Sequence, residues 1–345
     1  MRKKLGDIRR GRALSFHIPM LGFMKSAPAA RPDHAACCGC SLCLLVCPVW
    51  RRTRDLRLTP HGRAIALQRG AGISDIAASV ESCTLCAACE PVCPEEIDLV
   101  GMIMDLRRRL PHPAALQTLQ RRIDEAATRP AAARPGSHSA LLPDRTLRDR
   151  VATLTRTQAL LASSVSADDG EDIALGLETG AVVPARRIEL FLAPLRRLEE
   201  IIVADGLLLR HLKSWLPKSK IVSLGEALSR LAIVRDRLRA TDLYVIEPRA
   251  YHADYQRLVK YYDRLRVATG CAMNLDLQRI AIPANARSLP QRLGLTAPDD
   301  SGQVRWILQG RKITRIVVEN VEDVAAFVPL SHCRVVYLAD LADDG

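Results

Sequence analysis

Eight cysteines in two matching runs carry the chemistry legible in this chain. The first run is Cys37-Cys38-Gly39-Cys40-Ser41-Leu42-Cys43-Leu44-Leu45-Val46-Cys47-Pro48, and the second is Cys83-Thr84-Leu85-Cys86-Ala87-Ala88-Cys89-Glu90-Pro91-Val92-Cys93-Pro94. Both read C-x2-C-x2-C-x3-C-P, the spacing with which bacterial two-cluster proteins ligate iron-sulfur cubanes. Three thiolates two residues apart lie on one tight loop and reach three irons of one cubane. The x3 step and the proline then turn the chain away, so the fourth thiolate of each run points at the cluster of the other. On this reading Cys37, Cys40, Cys43 and Cys93 hold one [4Fe-4S] cluster, and Cys83, Cys86, Cys89 and Cys47 hold a second. Cys38 is left over, because only Cys37 keeps the two-residue step to Cys40.

Two other uses of cysteine fit less well. Structural zinc takes four thiolates as two C-x2-C pairs, without a third Cys in each run or a closing C-P. Disulfide frameworks belong to short secreted scaffolds, whereas this chain has 345 residues. Of its eleven Cys, eight are taken by the two motifs, leaving Cys38, Cys271 and Cys333 far apart in sequence. That usage suits a reducing compartment, and the localisation expected is cytoplasmic.

The composition, 48% hydrophobic and 26% charged, is that of a globular chain long enough for two cores. No run of 18 uncharged apolar residues occurs, so membrane contact is expected only through a partner. The formal charge is +12. Two oxidised cubanes at about −2 each bring it to roughly +8, which leaves a basic protein suited to an acidic partner surface. Nucleic acid is not expected as a partner, since aromatic content is 4% and no reading module is present.

The elements that must position the cysteines follow from the flanking sequence. Residues 1–33 form a basic arm, with Arg2, Lys3, Lys4, Arg9, Arg10, Arg12, Lys25 and Arg31. The order Arg9-Arg10, Ala13 to Met24 and Ala27-Pro28-Ala29 faintly follows a twin-arginine signal, which would send the chain to the periplasm. His17 and Pro19 interrupt its apolar stretch, so an arm that packs on a partner or on the cluster domain is the preferred reading. Between the runs, Thr59-Pro60 marks a helix start, and Ser74 to Val80 a short helix leading into the second run. After it, Leu99, Ile103, Leu106 and Leu110 recur at helical spacing until Pro111.

The two runs, the helical insert with Thr59-Pro60-His61-Gly62-Arg63, and Ile97-Asp98 before a helix together resemble the helical two-cluster ferredoxin domain of heterodisulfide reductase C and D subunits. The glycolate oxidase iron-sulfur subunit looks similar. The resemblance covers residues 34–110, about a fifth of the chain. It implies a domain that relays single electrons between a flavin or another cluster and a catalytic or quinone-linked subunit.

Residues 111–180, rich in Pro, Ala and Arg, read as a linker with helices around Ala114 to Ala127 and Asp144 to Ala162, and a polar turn from Ser163 to Asp172. From 181 to 345 the pattern becomes α/β. Strands are expected at Ile188–Leu192, Lys220–Leu224, Asp242–Ile246, Ile313–Val318 and Arg334–Leu338, with helices at Leu198–Leu216 and Glu322–Phe327. The fold class expected is therefore multidomain α + α/β, a helical two-cluster domain followed by an α/β domain with a parallel sheet. In the families it resembles, α/β repeats of this kind carry Cys-Cys-Gly motifs that hold catalytic clusters. Here no Cys-Cys-Gly follows Gly39, and Ala193-Pro194 and Pro248-Arg249-Ala250 stand where Cys would be expected. Cys271, Cys333, His252 and His332 are expected as ordinary packed residues, Glu95 and Glu96 as solvated, and Tyr251, Tyr255, Tyr261 and Tyr262 as a helical aromatic stripe in a core or interface. Gly70-Ala71-Gly72 lacks the preceding strand a nucleotide loop needs.

The function expected is that of an electron-transfer subunit in a heterodisulfide-reductase-like or related oxidoreductase complex, partnered by flavin, iron-sulfur or quinone-linked subunits and without a catalytic residue of its own. An enzyme whose α/β domain reduces a disulfide or quinone is the alternative, and a zinc-binding structural or nucleic-acid-binding protein the second.

Overall fold

Short helices around the cysteine runs give way along the chain to two small parallel sheets in the computed structural model, which describes residues 33–343 apart from 112, 278, 298 and 300. The basic arm expected over 1–33, with its twin-arginine pattern, lies outside the described residues except for Asp33.

Helices α1 (Leu42–Val46) and α2 (Pro48–Thr53) carry the end of the first run and the turn after it. Helix α3 (Pro60–Gln68) begins where Thr59-Pro60 predicts. The Thr59 hydroxyl accepts from the Gly62 N–H, and Pro60 takes the first helical position, where its missing N–H costs nothing. Helix α4 (Ala77–Ser82) leads into the second run, and α5 (Leu99–Arg107), capped by Asp98, leaves it. The apolar face of α5 buries Val100, Ile103 and Leu106 with Ile76, Val80 and Leu85, which makes the core of this part.

The stretch 111–180 does more than link. It contributes α6 (Ala114–Thr128), β1 (Ser139–Leu142), α7 (Arg145–Arg148), α8 (Val151–Leu161), β2 (Ser164–Val165) and α9 (Glu171–Thr179). Strand β1 is only four residues long and follows a Pro/Gly/Ser cluster, so alternation could not announce it. Its Ala140, Leu141 and Leu142 are almost fully buried between two neighbours. The single helix expected over Asp144–Ala162 breaks at Asp149-Arg150 into α7 and α8.

Two further expectations change. Ile188–Leu192, expected as a strand, belongs to helix α10 (Ala185–Leu192). Its apolar residues look continuous, but Arg187, Leu190 and Phe191 fall on one face at helical spacing, and Arg187 is fastened to Asp168 and Asp172. The helix expected over Leu198–Leu216 opens as β3 (Glu200–Val203). Only after Asp205, whose carboxylate caps the Leu208 N–H, does α11 (Gly206–Trp215) begin. The remaining strands are β4 (Lys220–Ser223), β5 (Asp242–Val245), β6 (Ala272–Met273), a hairpin of β7 (Leu275–Asp276) and β8 (Ile280–Ala281), β9 (Arg315–Val318) and β10 (Arg334–Tyr337). Four of these lie where the sequence predicts.

Strands β1 to β4 form one parallel sheet in the order β2-β1-β3-β4. Strands β5, β6, β9 and β10 form another in the order β10-β9-β5-β6. Counting strands within each sheet along the chain, both orders read 2-1-3-4, so one topology occurs twice. The fold is thus α + α/β. Helices pack between and around the sheets, among them α12 (Leu224–Arg230), α13 (Ala232–Arg235), α14 (Pro248–Ala253), α15 (Tyr255–Thr269), α16 (Leu289–Arg292), α17 (Ser301–Leu308) and α18 (Val321–Phe327). Tyr251 and Tyr262 of the aromatic stripe are buried in the larger core, with Tyr255 and Tyr261 at its edge.

Candidate iron-sulfur site

The folded chain gathers the eight motif thiols into two groups. Cys43 lies within Coulombic range of Cys37, Cys40 and Cys93. Cys89 lies within range of Cys86, Cys83 and Cys47. Each group thus draws three thiols from one run and the last thiol of the other. Cys38 is exposed, beside Cys40 and the Glu95 side chain. The strained backbone of the loops helps to turn the thiols inward: Leu85 and Ala87, both non-glycine, adopt left-handed φ of 52° and 59°.

The residues fit a cubane. Cys47, Cys83, Cys86 and Cys89 line one apolar cavity with Pro48, Leu85 and Ala88. Among the described residues, no three Cys, His, Asp or Glu side chains converge on a point where one metal ion could sit. The second group's thiols surround a space instead. Burial pushes Cys47 up to about 12, and burial with the neighbouring Cys37, Cys40 and Cys93 pushes Cys43 up to about 11. Without metal these groups are thiols at neutral pH, and loading a cluster releases their protons.

The second run is held from all sides. Arg107, at the end of α5, is 1% exposed and donates to the carbonyls of Cys83 and Glu178, the latter at 2.6 Å. Burial lowers its pKa to about 10, so it stays cationic at neutral pH. Gly180, which ends α9 at φ 93°, lets that turn lie against the Arg107 backbone, where a Cβ would come within 2.6 Å. Arg249, at the start of α14, donates to the Thr84 carbonyl at 3.0 Å and to Glu178 Oε1 at 2.6 Å. Burial alone would push Glu178 up, but Arg249 and Arg292 hold it down to about 2. His252 Nδ1 donates to the Cys86 carbonyl at 2.8 Å, while its Nε2 accepts from the Ala281 N–H at 3.2 Å. That pair fixes one neutral tautomer, and burial lowers the imidazole to about 4. Next to Cys89, Glu90 receives Arg210 of α11 at 2.6 Å and 3.0 Å, and the same guanidinium reaches Asp98 at 2.7 Å.

The first run has lighter support. The exposed Gln68, at the end of α3, donates from Nε2 to the carbonyls of His34, Ala35 and Cys37 at 2.9 to 3.2 Å. Cys38, Cys40, Leu42 and Leu45 are exposed. Further along, Arg51 donates to the Leu45 carbonyl, pairs with Asp276 and lies 3.3 Å over the Trp306 ring, which ties α2 to the second sheet's side of the molecule.

Sequence reasoning missed Arg107, Glu178, Arg249 and His252 as neighbours of the site. Arg107 is the first of three consecutive arginines at the end of α5, and nothing local marks which of them turns inward. His252 carried no spacing signal, since its partner lies 166 residues away. Cys271 is buried in the core and Cys333 packs beside the second sheet, its thiol donating to the Ile313 carbonyl at 3.3 Å, as expected of packing residues.

A cleft of about 520 Å³ opens beside the second thiol group. Its walls include the residues just past β1, β3, β5 and β9, among them Asp144, Asp205, Glu247 and Asn320, together with Thr84 and Cys86. Carboxyl ends of parallel strands are where open α/β sheets bind ligands. Burial raises Glu247 to about 7 and Asp144 to about 6, and neither has a cation as hydrogen-bond partner.

The model of one protein family, described as a 4Fe-4S dicluster domain, matches residues 33–97. No curated protein and no solved structure matches the chain. The match and the thiol groups together make this an iron-sulfur protein with an electron-transfer role. Among the described residues, no helix is long and apolar enough to cross a membrane.

Proposed function

We propose that the chain is the electron-transfer subunit of an oxidoreductase complex of the heterodisulfide-reductase-like kind, passing single electrons through two [4Fe-4S] clusters. One observation carries the reading: each thiol group takes its fourth member from the other run, Cys93 beside Cys43 and Cys47 beside Cys89. That exchange draws the two sites together on one scaffold, which suits a relay. When bound, each cluster accepts or gives one electron. The chain's own residues hold the thiolates, exclude water around the second site and keep the loop carbonyls hydrogen-bonded. Flavin, iron-sulfur or quinone-linked subunits are the partners this role requires, in the cytoplasm.

Anaerobically purified protein, reconstituted if necessary, should contain about eight irons and eight acid-labile sulfides per chain. Zinc at about two per chain without labile sulfide would remove the proposal. Cys93→Ala should abolish the paramagnetic signal that Cys43→Ala abolishes, and Cys47→Ala the one that Cys89→Ala abolishes. Cys38→Ala should leave both. If Cys38→Ala removes a signal that Cys37→Ala leaves, the register shifts by one residue.

The cleft favours a second reading, an enzyme proper. Its wall contains Cys86, so an acceptor bound there would lie beside a cluster ligand. Turnover of a disulfide or quinone by the isolated chain, given only an electron donor, would decide for that reading.

A further inference from the structure

The two thiol groups stand in unlike electrostatic surroundings. Around the second, three buried guanidinium groups converge. Arg63, 1% exposed, lines the same cavity as Cys47, Cys83, Cys86 and Cys89 and donates to the Ser79 carbonyl at 2.6 Å. Arg107 donates to the carbonyl of Cys83, and Arg249 to that of Thr84. Glu178 is the carboxylate paired with them, bound to Arg249 at 2.6 Å and close to Arg292 at 3.0 Å, while Asp205 and Glu247 also act on Arg249 without a hydrogen bond to its guanidinium. Glu90, the other acid beside this group, is already matched by Arg210. In the first group, burial acts most on Cys43, followed by the neighbouring Cys37 and Cys40.

Reduction adds one electron to a cubane and takes its charge, thiolates included, from −2 to −3, with no bond formed or broken and no proton required. Burial in a poorly polarisable interior opposes that added charge. A fixed cation a few ångströms away favours it, and more strongly inside the protein than in water. Arginine is the side chain suited to this task, because it stays charged when buried and satisfies carbonyls with its spare N–H groups.

We infer that Arg107 and Arg249 raise the reduction potential of the cluster held by the second run above the value its burial alone would give, with Glu178 opposing them, so that the α/β half acts on electron transfer by charge as well as by contact. The inference rests on the proposed electron-transfer role and goes beyond it. It assigns one potential-setting residue, Arg249, to a half of the chain that has no cluster ligands of its own, beside Arg107 at the end of α5.

The test is a redox titration of the full-length, cluster-loaded chain followed by electron paramagnetic resonance, with the second signal identified by its loss in Cys89→Ala. Arg107→Gln should make the second cluster at least tenfold harder to reduce, a downward shift of about 59 mV or more for one electron. Arg249→Gln should shift it the same way, and Arg107→Lys should recover most of the loss. Glu178→Gln should shift it upward. The first cluster should move much less in all four. A second cluster that keeps its potential in Arg107→Gln, or a Glu178→Gln shift in the same direction as the arginine variants, would overturn the inference. If Arg107→Gln does not retain the cluster, the opposed signs of Arg249→Gln and Glu178→Gln decide. Absence of both signals from the unmutated chain would instead remove the electron-transfer reading on which this one stands.

Discussion

The two cysteine runs have the same spacing and opposite settings. The first lies at the surface, with Cys38, Cys40, Leu42 and Leu45 exposed and its leading carbonyls held by the exposed Gln68. The second is enclosed, its carbonyls taken by Arg107, Arg249 and His252 and its Glu90 locked to Arg210. A motif thus determines which metal group is bound, while the rest of the chain determines how that group is exposed, charged and held. For a relay the difference is useful: an exposed cluster brings a partner's cofactor within tunnelling distance, and an enclosed one keeps its electron from water.

The contrast can be broken most severely at Arg210. Arg210→Ala removes the guanidinium that Glu90 and Asp98 share, and removal of one partner of a buried pair costs about 3 to 5 kcal/mol. The second signal should be lost or strongly weakened while the first persists. Next comes His252→Ala, which frees the Cys86 carbonyl and opens a small void. Unmet buried hydrogen bonds of this kind cost about 1 to 3 kcal/mol, read as faster loss of the second cluster to an iron chelator. In unmutated protein exposed to air, the first signal should decay before the second. Equal decay would mean that exposure does not distinguish the two sites.

A smaller effect concerns pH. Burial raises Glu247 to about 7 and Glu319 to about 7, above the ordinary 4.5, so the folded chain binds these protons more tightly than the unfolded one. Their contribution is complete below about pH 4.5 and is lost as pH rises through 7, at most about 3 kcal/mol for each group. Melting temperature should therefore fall between pH 5 and pH 8 under anaerobic conditions, and Glu247→Gln should flatten that fall while lowering the acid-side value slightly. The smallest effect belongs to the first run. Gln68→Ala, at an exposed position where water replaces the lost donor, should cost under about 1 kcal/mol and leave both clusters in place.

The thiol groups were legible in the sequence because ligand spacing is a local property, as was the start of α3 at Thr59-Pro60. Strands β4, β5, β9 and β10 were legible because each is a run of apolar residues between turns. What could not be read depends on distant neighbours. Strand β1 looks like linker until β2 and β3 cover it on both edges. The Ile188–Leu192 stretch looks like a strand until Arg187 is seen to share a helix face with Phe191 and to pair with Asp168 and Asp172. A fragment beginning at residue 180 would lack β1 and β2, and with them half of the first sheet, so the α/β half cannot be cut where the composition changes.

The position of His252 has a consequence for how the protein is made. On the ribosome Cys86 emerges 166 residues before the imidazole that will hold its carbonyl, and Thr84 emerges 165 residues before Arg249. At typical elongation speeds of 5 to 20 residues per second, that interval lasts roughly ten to thirty seconds. Throughout it the second run lacks the hydrogen bonds from His252 and Arg249, although Arg107 has already followed Cys83 by 24 residues. The first run meets Gln68 about thirty residues after Cys37, and its fourth thiol, Cys93, about fifty residues after Cys43. The contacts that hold the second run's carbonyls are therefore complete only once synthesis has passed residue 252.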